Sequence, residues 1–250
     1  MIAYAPPRDM LSKVRRAWTQ NRCAAPARLR FYEPALSVCF DDFPASAAMI
    51  GAPLLERYGG RGTFFAAGAL ADAESASGRC YSARDLSRLR SIGHEIGCHT
   101  FSHRDGARGE VFATLQDIAR NRDALAAMGC APATSLAYPY GETSFALKRA
   151  LPRRIACARG ISPGLNRGRV DLAQLRAYPL FGDGGLVRAM HALRRTARTN
   201  SWMIAFTHDV CATPSPWGTR PEDLEALLVA ARKHGVAILP VSTALARGRA

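Results

Sequence analysis

From about residue 35 onward, short apolar runs alternate with segments whose apolar positions recur every three or four residues, the pattern of strands alternating with helices. Ala35 to Phe40 reads as a buried strand, about Ala45 to Arg57 as a helix, and Thr63 to Ala66 as the next strand. Ser82-Ala83-Arg84-Asp85 has the form of a helix cap ahead of Leu86 and Leu89, with a stop near Gly93 and a short strand at His94 to Gly97. Glu110 to Met128 carries a helical period ended by Gly129. Further strands are predicted at Thr134 to Ala137, Ile155 to Ala158, Leu175 to Tyr178, Trp202 to Phe206 and Ala237 to Pro240. Between Thr219 and Gly235, Thr219 is expected to cap a helix, Pro221 to take its first turn and Glu222 to complete a capping box, with Leu224, Leu227, Leu228 and Ala231 on one face. Ala71 to Gly78 reads as a small-residue loop. The alternation predicts an α/β layer or barrel fold, one domain at residues 31–250 behind a basic N-terminal extension at residues 1–30.

With 250 residues, 48% of them hydrophobic, the chain can bury a substantial core, which excludes disordered and fibrous classes. Its formal net charge is +14, and lysine occurs only at Lys13, Lys148 and Lys233, so arginine carries the excess. A codon preference for arginine gives that excess without any partner; otherwise it favours an acidic polysaccharide, a phosphorylated substrate or a membrane surface. No dense basic run with interleaved aromatics and no helix-turn-helix or zinc-finger spacing is present, so no nucleic-acid partner is expected. The cysteines at 23, 39, 80, 98, 130, 157 and 211 are odd in number and scattered, and several sit in apolar runs, which suits free thiols in a reducing compartment. Pro6, Pro7, Arg8, Asp9, Lys13, Arg15 and Arg16 break up any signal-peptide core, and no later segment has the ~18 apolar residues of a membrane span. The expectation is a cytoplasmic protein whose basic Met10 to Trp18 segment can rest on an anionic membrane face.

Polar residues gather at the strand ends, where α/β folds carry their chemistry. Asp41-Asp42 follows the first strand; an acidic pair there can cap the next helix or serve a site. His99 and His103 are spaced i and i+4, so one helical turn would put both imidazoles on one side, as a divalent metal requires. Asp42 would complete a set of two histidines and one carboxylate with positions open to water and substrate. Thr207-His208-Asp209 follows the apolar Met203 to Phe206, and His208 can be the acid that an amine leaving group needs.

Ser37-Val38-Cys39-Phe40-Asp41-Asp42-Phe43-Pro44, His99 to His103, Ala137-Tyr138-Pro139-Tyr140-Gly141 and Phe206-Thr207-His208-Asp209 resemble, in order, the motifs of the polysaccharide deacetylase (NodB-homology) family over about residues 35 to 245. Arg61-Gly62-Thr63-Phe64-Phe65 and Gly93-His94-Glu95-Ile96-Gly97 resemble its framework. The resemblance implies a distorted (β/α) barrel and a metal-dependent hydrolase that removes acetyl groups from N-acetylated sugars. On it, Asp41 is the general base, Asp42, His99 and His103 hold one divalent ion, commonly zinc, Tyr140 gives its backbone N–H to the oxyanion, and His208 is the general acid. Adjacent aspartates on an extended chain point to opposite sides, consistent with separate roles.

The chain also departs from the family pattern. Phe43 stands where glycine is usual and is expected to narrow the mouth of the site, and Ala137 stands where an arginine often pairs with the base. The Asp-Trp fourth motif is unrecognisable at Cys157 to Gly164. Arg159, just past the strand ending at Ala158, is the candidate to orient Asp41 in place of the missing arginine, and it joins Asp41, Tyr140 and His208 in the catalytic set. The leading reading is an N-deacetylase acting on a carbohydrate. A hydrolase of another C–N bond, such as a cyclic imide or ureide, and a binding protein that has lost turnover are the alternatives. For a cytoplasmic enzyme, a lipid-linked sugar, a nucleotide sugar or a surface-polysaccharide precursor is within reach.

Overall fold

In the computed structural model, which describes residues 6–7, 9–75, 77–151 and 155–249, regular structure begins well before residue 35. Helix α1 (Met10–Asn21) and strand β1 (Pro26–Leu29) precede β2 (Ala35–Asp41), and a π-wound segment at 47–51 leads into α2 (Ala52–Arg57). Next come β3 (Thr63–Ala66), a short hairpin of β4 (Glu74–Ser75) and β5 (Gly78–Arg79), α3 (Ala83–Ser91), β6 (Glu95–Cys98) and α4 (Val111–Ala127). The chain continues through β7 (Ser135–Ala137), α5 (Phe145–Ala150), β8 (Cys157–Arg159), β9 (Gly168–Asp171) and β10 (Tyr178–Pro179). It ends with α6 (Gly185–Thr199), β11 (Trp202–Thr207), α7 (Pro221–Lys233), β12 (Ala237–Ile238) and α8 (Val241–Arg249). Residues 1–5 and 8 of the basic N-terminal extension lie outside the described residues.

Eight strands form one parallel sheet in the order β10-β11-β2-β3-β6-β7-β8, with β12 beside the start of β2. The sheet curls because the segment after β9 reaches both of its ends: Leu175 bridges Arg159 of β8, while Tyr178 and Pro179 pair with Ala205 and Phe206 of β11. The strand expected at Leu175 to Tyr178 is therefore divided, one end bonded to each neighbour, and the barrel is distorted there. All seven residues of β2 are buried, as the apolar run required. Alternation sends Ala35 and Cys39 into the barrel core with Trp202, Ile204 and Phe206, and Leu36, Val38 and Phe40 into the core beneath the helices. By the same period Asp41 is the last inward-facing position of β2.

Most predicted elements appear within a few residues of their expected bounds, and Ser82 and Asp85 form the expected reciprocal cap. The α7 cap differs. Arg220 is the N-cap, and the Thr219 hydroxyl donates instead to the Leu180 carbonyl at 2.9 Å and accepts from Thr207 at 3.0 Å. With its hydroxyl already committed to the barrel wall, Thr219 leaves the first turn to Pro221, Glu222 and Asp223.

Helix α1 is tied to the barrel by a buried ammonium. Lys148 of α5 donates to the carbonyls of Thr19 at 2.9 Å and Arg22 at 2.6 Å and to Gln174 Oε1 at 2.7 Å, and it pairs with Asp171 at 2.8 Å. Asp171 in turn accepts from the amides of Ala24 and Ala25. Removing one member of such a buried network leaves the others desolvated and unpaired, so Lys148→Met should lower stability by about 3 to 5 kcal/mol. Equilibrium urea unfolding measures this; a loss under about 1 kcal/mol would show that α1 is only loosely held.

Candidate active site

Parallel register lines up the polar residues on one rim. Phe40 of β2 is level with Thr207 of β11, Asp41 with Phe65, Ala66 with Cys98, Cys98 with Leu136 and Ala137 with Arg159. Asp41, Asp42, His99, Tyr140, Arg159 and His208 thus leave the carboxyl ends of adjacent strands, as the sequence placed them.

Inside the rim, Arg159 spans from β8 to β2. Its side chain is 1% exposed, and one guanidinium nitrogen lies 2.5 Å from both Asp41 oxygens, while another donates to the Gly160 carbonyl at 3.0 Å. The rings of Phe65 and Phe206 flank the guanidinium, with centroids 5.2 and 4.7 Å away. Burial alone would raise the Asp41 carboxyl, but Arg159, helped by His99 and His208, outweighs it and holds the group below the usual carboxylate range. Ala137, buried on the neighbouring strand, has only a methyl group in this layer.

After Asp41 the chain turns instead of continuing extended: Asp42 has φ of 54°. The two aspartates are therefore separated by a left-handed turn, not by strand alternation alone. His99 and His103 do not share a helical turn either. His99 directly follows the last residue of β6, and the chain from Thr100 to His103 is a loop with Thr100 at φ 58° and His103 at φ 53°. Asp117 of α4 fixes that loop by accepting from the amides of Phe101 and Ser102 at 2.9 and 3.0 Å, and Thr100 Oγ1 accepts from the Arg104 amide. Nothing in the sequence marked Asp117 as the support of this loop. Of six non-glycine residues with positive φ among the described residues, Asp42, Thr100, His103 and Tyr140 are four, and each such conformation costs roughly 1 to 2 kcal/mol. That concentration around one side-chain cluster is the local strain expected where function fixes geometry.

The result is a cluster of Asp42, His99 and His103 whose ligand atoms lie within 4.8 Å of one another. Asp42 Oδ1 is 3.5 Å from His99 Nε2 and 3.2 Å from His103 Nε2, yet it is buried and makes no hydrogen bond. His99 donates from Nδ1 to the Ala137 carbonyl at 2.8 Å, which leaves the Nε2 lone pair aimed at Asp42. Burial pushes the Asp42 carboxyl up to about 7 and the His99 and His103 imidazoles down to about 3 and about 4. Two neutral imidazoles and an orphaned carboxylate oxygen fit a divalent cation, which would supply the charge that the carboxylate lacks.

The Tyr140 ring meets His103 edge to face at 4.4 Å, on a turn at Pro139–Gly141 whose Tyr140 has φ of 59°. His208 extends the rim from β11, and its Nδ1 donates to the Trp217 carbonyl at 3.3 Å. That carbonyl also accepts from the His208 amide, so one backbone group positions the imidazole. The loop returning to Trp217 is held by buried Asp209, which accepts from the Ser215 amide at 2.8 Å and hydroxyl at 2.5 Å. Trp217, nine residues beyond His208, carried no sequence signal for this role because its backbone does the work. Phe43 departs from expectation. It is fully buried, stacked on Tyr81 at 4.3 Å and against Phe64 at 5.2 Å, so it fills the core and does not narrow the mouth.

Residues 30–153 match the family model of polysaccharide deacetylases. A search of the curated proteins found no match. Among solved structures, the chain resembles a putative polysaccharide deacetylase from Mycobacterium smegmatis with a TM-score of 0.66 and 16% identity over 91% of this chain and 94% of that one. It resembles the peptidoglycan deacetylase PdaC from Bacillus subtilis with a TM-score of 0.55 and 19% identity over 86% and 92%. A family 4 acetyl xylan esterase from Clostridium thermocellum, in complex with a cobalt ion, gives a TM-score of 0.60 and 20% identity over 85% and 90%. At these identities the structural likeness is one of fold.

The donor set makes a quantitative prediction for ion binding. The cluster should bind one divalent ion, and His99→Ala or His103→Ala should weaken binding at least about 100-fold. Because the imidazoles are already neutral near pH 7, proton competition falls on Asp42 alone. Affinity should drop about tenfold per pH unit as pH falls below about 7. Calorimetric titration across pH tests this, and a slope of two protons or unchanged stoichiometry in both variants would contradict the assignment.

Proposed function

The chain belongs to the polysaccharide deacetylase family, and from that premise we propose that it is a metal-dependent hydrolase removing N-acetyl groups from a carbohydrate. The observation that carries this reading is the pairing of two distinct carboxylates on one rim: Asp41 kept ionised by Arg159, and Asp42 orphaned beside two neutral imidazoles. The catalytic domain is assigned to residues 31–250. Asp42, His99 and His103 would hold one divalent ion, with zinc suited to two imidazoles and a carboxylate; a cobalt ion in the Clostridium thermocellum neighbour supports the metal class. Bound there, the ion supplies Lewis acidity toward the acetyl carbonyl and makes water more acidic.

The remaining work falls to the chain's own groups. Asp41 takes a proton from the attacking water, and Arg159 is its positioning residue, orienting the carboxylate and keeping its proton affinity low. The Tyr140 backbone N–H donates to the acetyl carbonyl oxygen as it becomes the oxyanion of the tetrahedral intermediate. His208, with Nδ1–H donated to the Trp217 carbonyl, carries in its doubly protonated form a second proton on Nε2, which it delivers to the departing amine, and it is reprotonated at turnover by the proton that Asp41 took from water. Acetate and a free amino sugar are the products. Seven unpaired cysteines, five of them buried, suit a reducing cytoplasmic location.

Acetate release from N-acetylglucosamine oligomers and acetylated sugar precursors tests the proposal. Asp41→Asn should retain zinc while lowering kcat by about 10² to 10⁴. His208→Ala should impair amide cleavage more than cleavage of an acetate ester with a good leaving group, since only the amine must be protonated to depart. Loss of zinc in Asp41→Asn would exchange the roles of the two aspartates, and equal losses on both substrates would remove His208 as the acid.

A further inference from the structure

Helix α1 is mounted with its polarity reversed. Its protein-facing side consists of Ser12, Arg16 and Thr19, with Thr19 buried and Arg16 paired to Glu142. Its solvent side presents Met10, Leu11, Val14 and Trp18 at 74, 78, 60 and 50% exposure. At 100° per residue these four side chains fall within an arc of roughly 100°, and Lys13 and Arg15 flank that arc on either side. A surface helix ordinarily does the opposite, burying its apolar stripe and wetting its polar face. The segment Met10 to Asn21 contains no acidic residue, and the whole chain carries a net charge of +14.

We propose that this outward stripe is a docking surface for an anionic lipid bilayer. An apolar arc edged by a long basic side chain is the arrangement by which a helix lies in a membrane interface: Met10, Leu11 and Val14 enter the acyl boundary beside the exposed edge of Trp18, whose ring also packs on Phe145, while Lys13 stays at the headgroups. Charge complementarity selects lipid of negative charge, and the positive excess of the chain adds longer-range attraction.

The helix is coupled to the site by Arg15 at the edge of the stripe and by Arg16 on the inner face. Arg15 donates to the Ala107 carbonyl, in the loop that follows His103, and Arg16 pairs with Glu142, the residue after the Tyr140 turn. Docking α1 therefore brings the loops bearing His103 and Tyr140 to the headgroup level. This consequence rests on the deacetylase reading, and on it the substrate class is an N-acetylated glycan carried on a lipid.

The test is co-sedimentation of the full chain with vesicles of phosphatidylcholine alone or with phosphatidylglycerol at roughly 3:1. Binding is expected only to the anionic vesicles, with a blue shift of Trp emission, and Leu11→Ser with Val14→Ser should weaken it about tenfold or more at unchanged net charge. The same double variant should release acetate from a soluble acetylated sugar at the wild-type rate, so loss of docking and loss of the catalytic reading are read separately. Equal binding by wild type and variant would mean adsorption by overall charge and would overturn the proposal. So would a wild-type dimer that the double substitution dissociates, which would make the stripe a contact between copies.

Discussion

A guanidinium laid across the upper layer of the barrel is the interaction on which the candidate site depends. Arg159 is fully enclosed and bonds to both oxygens of Asp41, so neither charge can be understood alone. Such a buried pair adds little net stability compared with apolar side chains of the same size. What it does is hold a carboxylate ionised in a place where burial would otherwise protonate it. One residue further on, Asp42 has no such partner, and its carboxyl is pushed the other way. Two adjacent aspartates thereby acquire opposite electrostatic characters from their neighbours and not from their own chemistry.

The barrel supplies the neighbours. Because its strands are parallel and in matched register, groups far apart in sequence leave the sheet at one level, and the loops beyond them need only short corrections. Those corrections are the left-handed conformations at Asp42, Thr100, His103 and Tyr140. Each is unfavourable locally, and the loop from Thr100 to His103 is maintained from outside the rim by Asp117 on the Phe101 and Ser102 amides.

How much of this could be read from the chain depended on where the signal resided. β2 was legible because a continuous apolar run ending in Asp41 has few other solutions, and α7 because Leu224, Leu227, Leu228 and Ala231 keep a strict helical face. α6 and α8 are not among the predicted elements, although α6 buries Ala189, Ala192, Leu193 and Thr196 at helical spacing and α8 buries Val241, Ala244 and Leu245. The spacing of His99 and His103 identified the pair but misassigned the backbone, since an i, i+4 separation is equally served by a loop with two left-handed residues. Arg159 was found by counting strand ends. The Trp217 carbonyl and Asp117 could not be, because a backbone acceptor and a distant helix residue leave no local pattern. In α1 the sequence carries an apolar stripe, but periodicity does not say which way a stripe faces.

Asp41 needs a guanidinium beside it, and β8 supplies one because Ala137 on β7 leaves the space. With the divalent ion held at a concentration that keeps its site filled, the acidic limb of the kcat/KM profile for acetate release reports the proton affinity of the base. In Arg159→Met, burial acts on Asp41 unopposed, so the carboxyl should protonate at higher pH and the limb should move upward by about 1 to 3 units. Adding Ala137→Arg to that variant relocates the charge to the neighbouring strand and should return the limb toward its original position with much of the lost rate. A limb that stays in place in Arg159→Met, or one that the second arginine fails to restore in a folded double variant, would contradict the account.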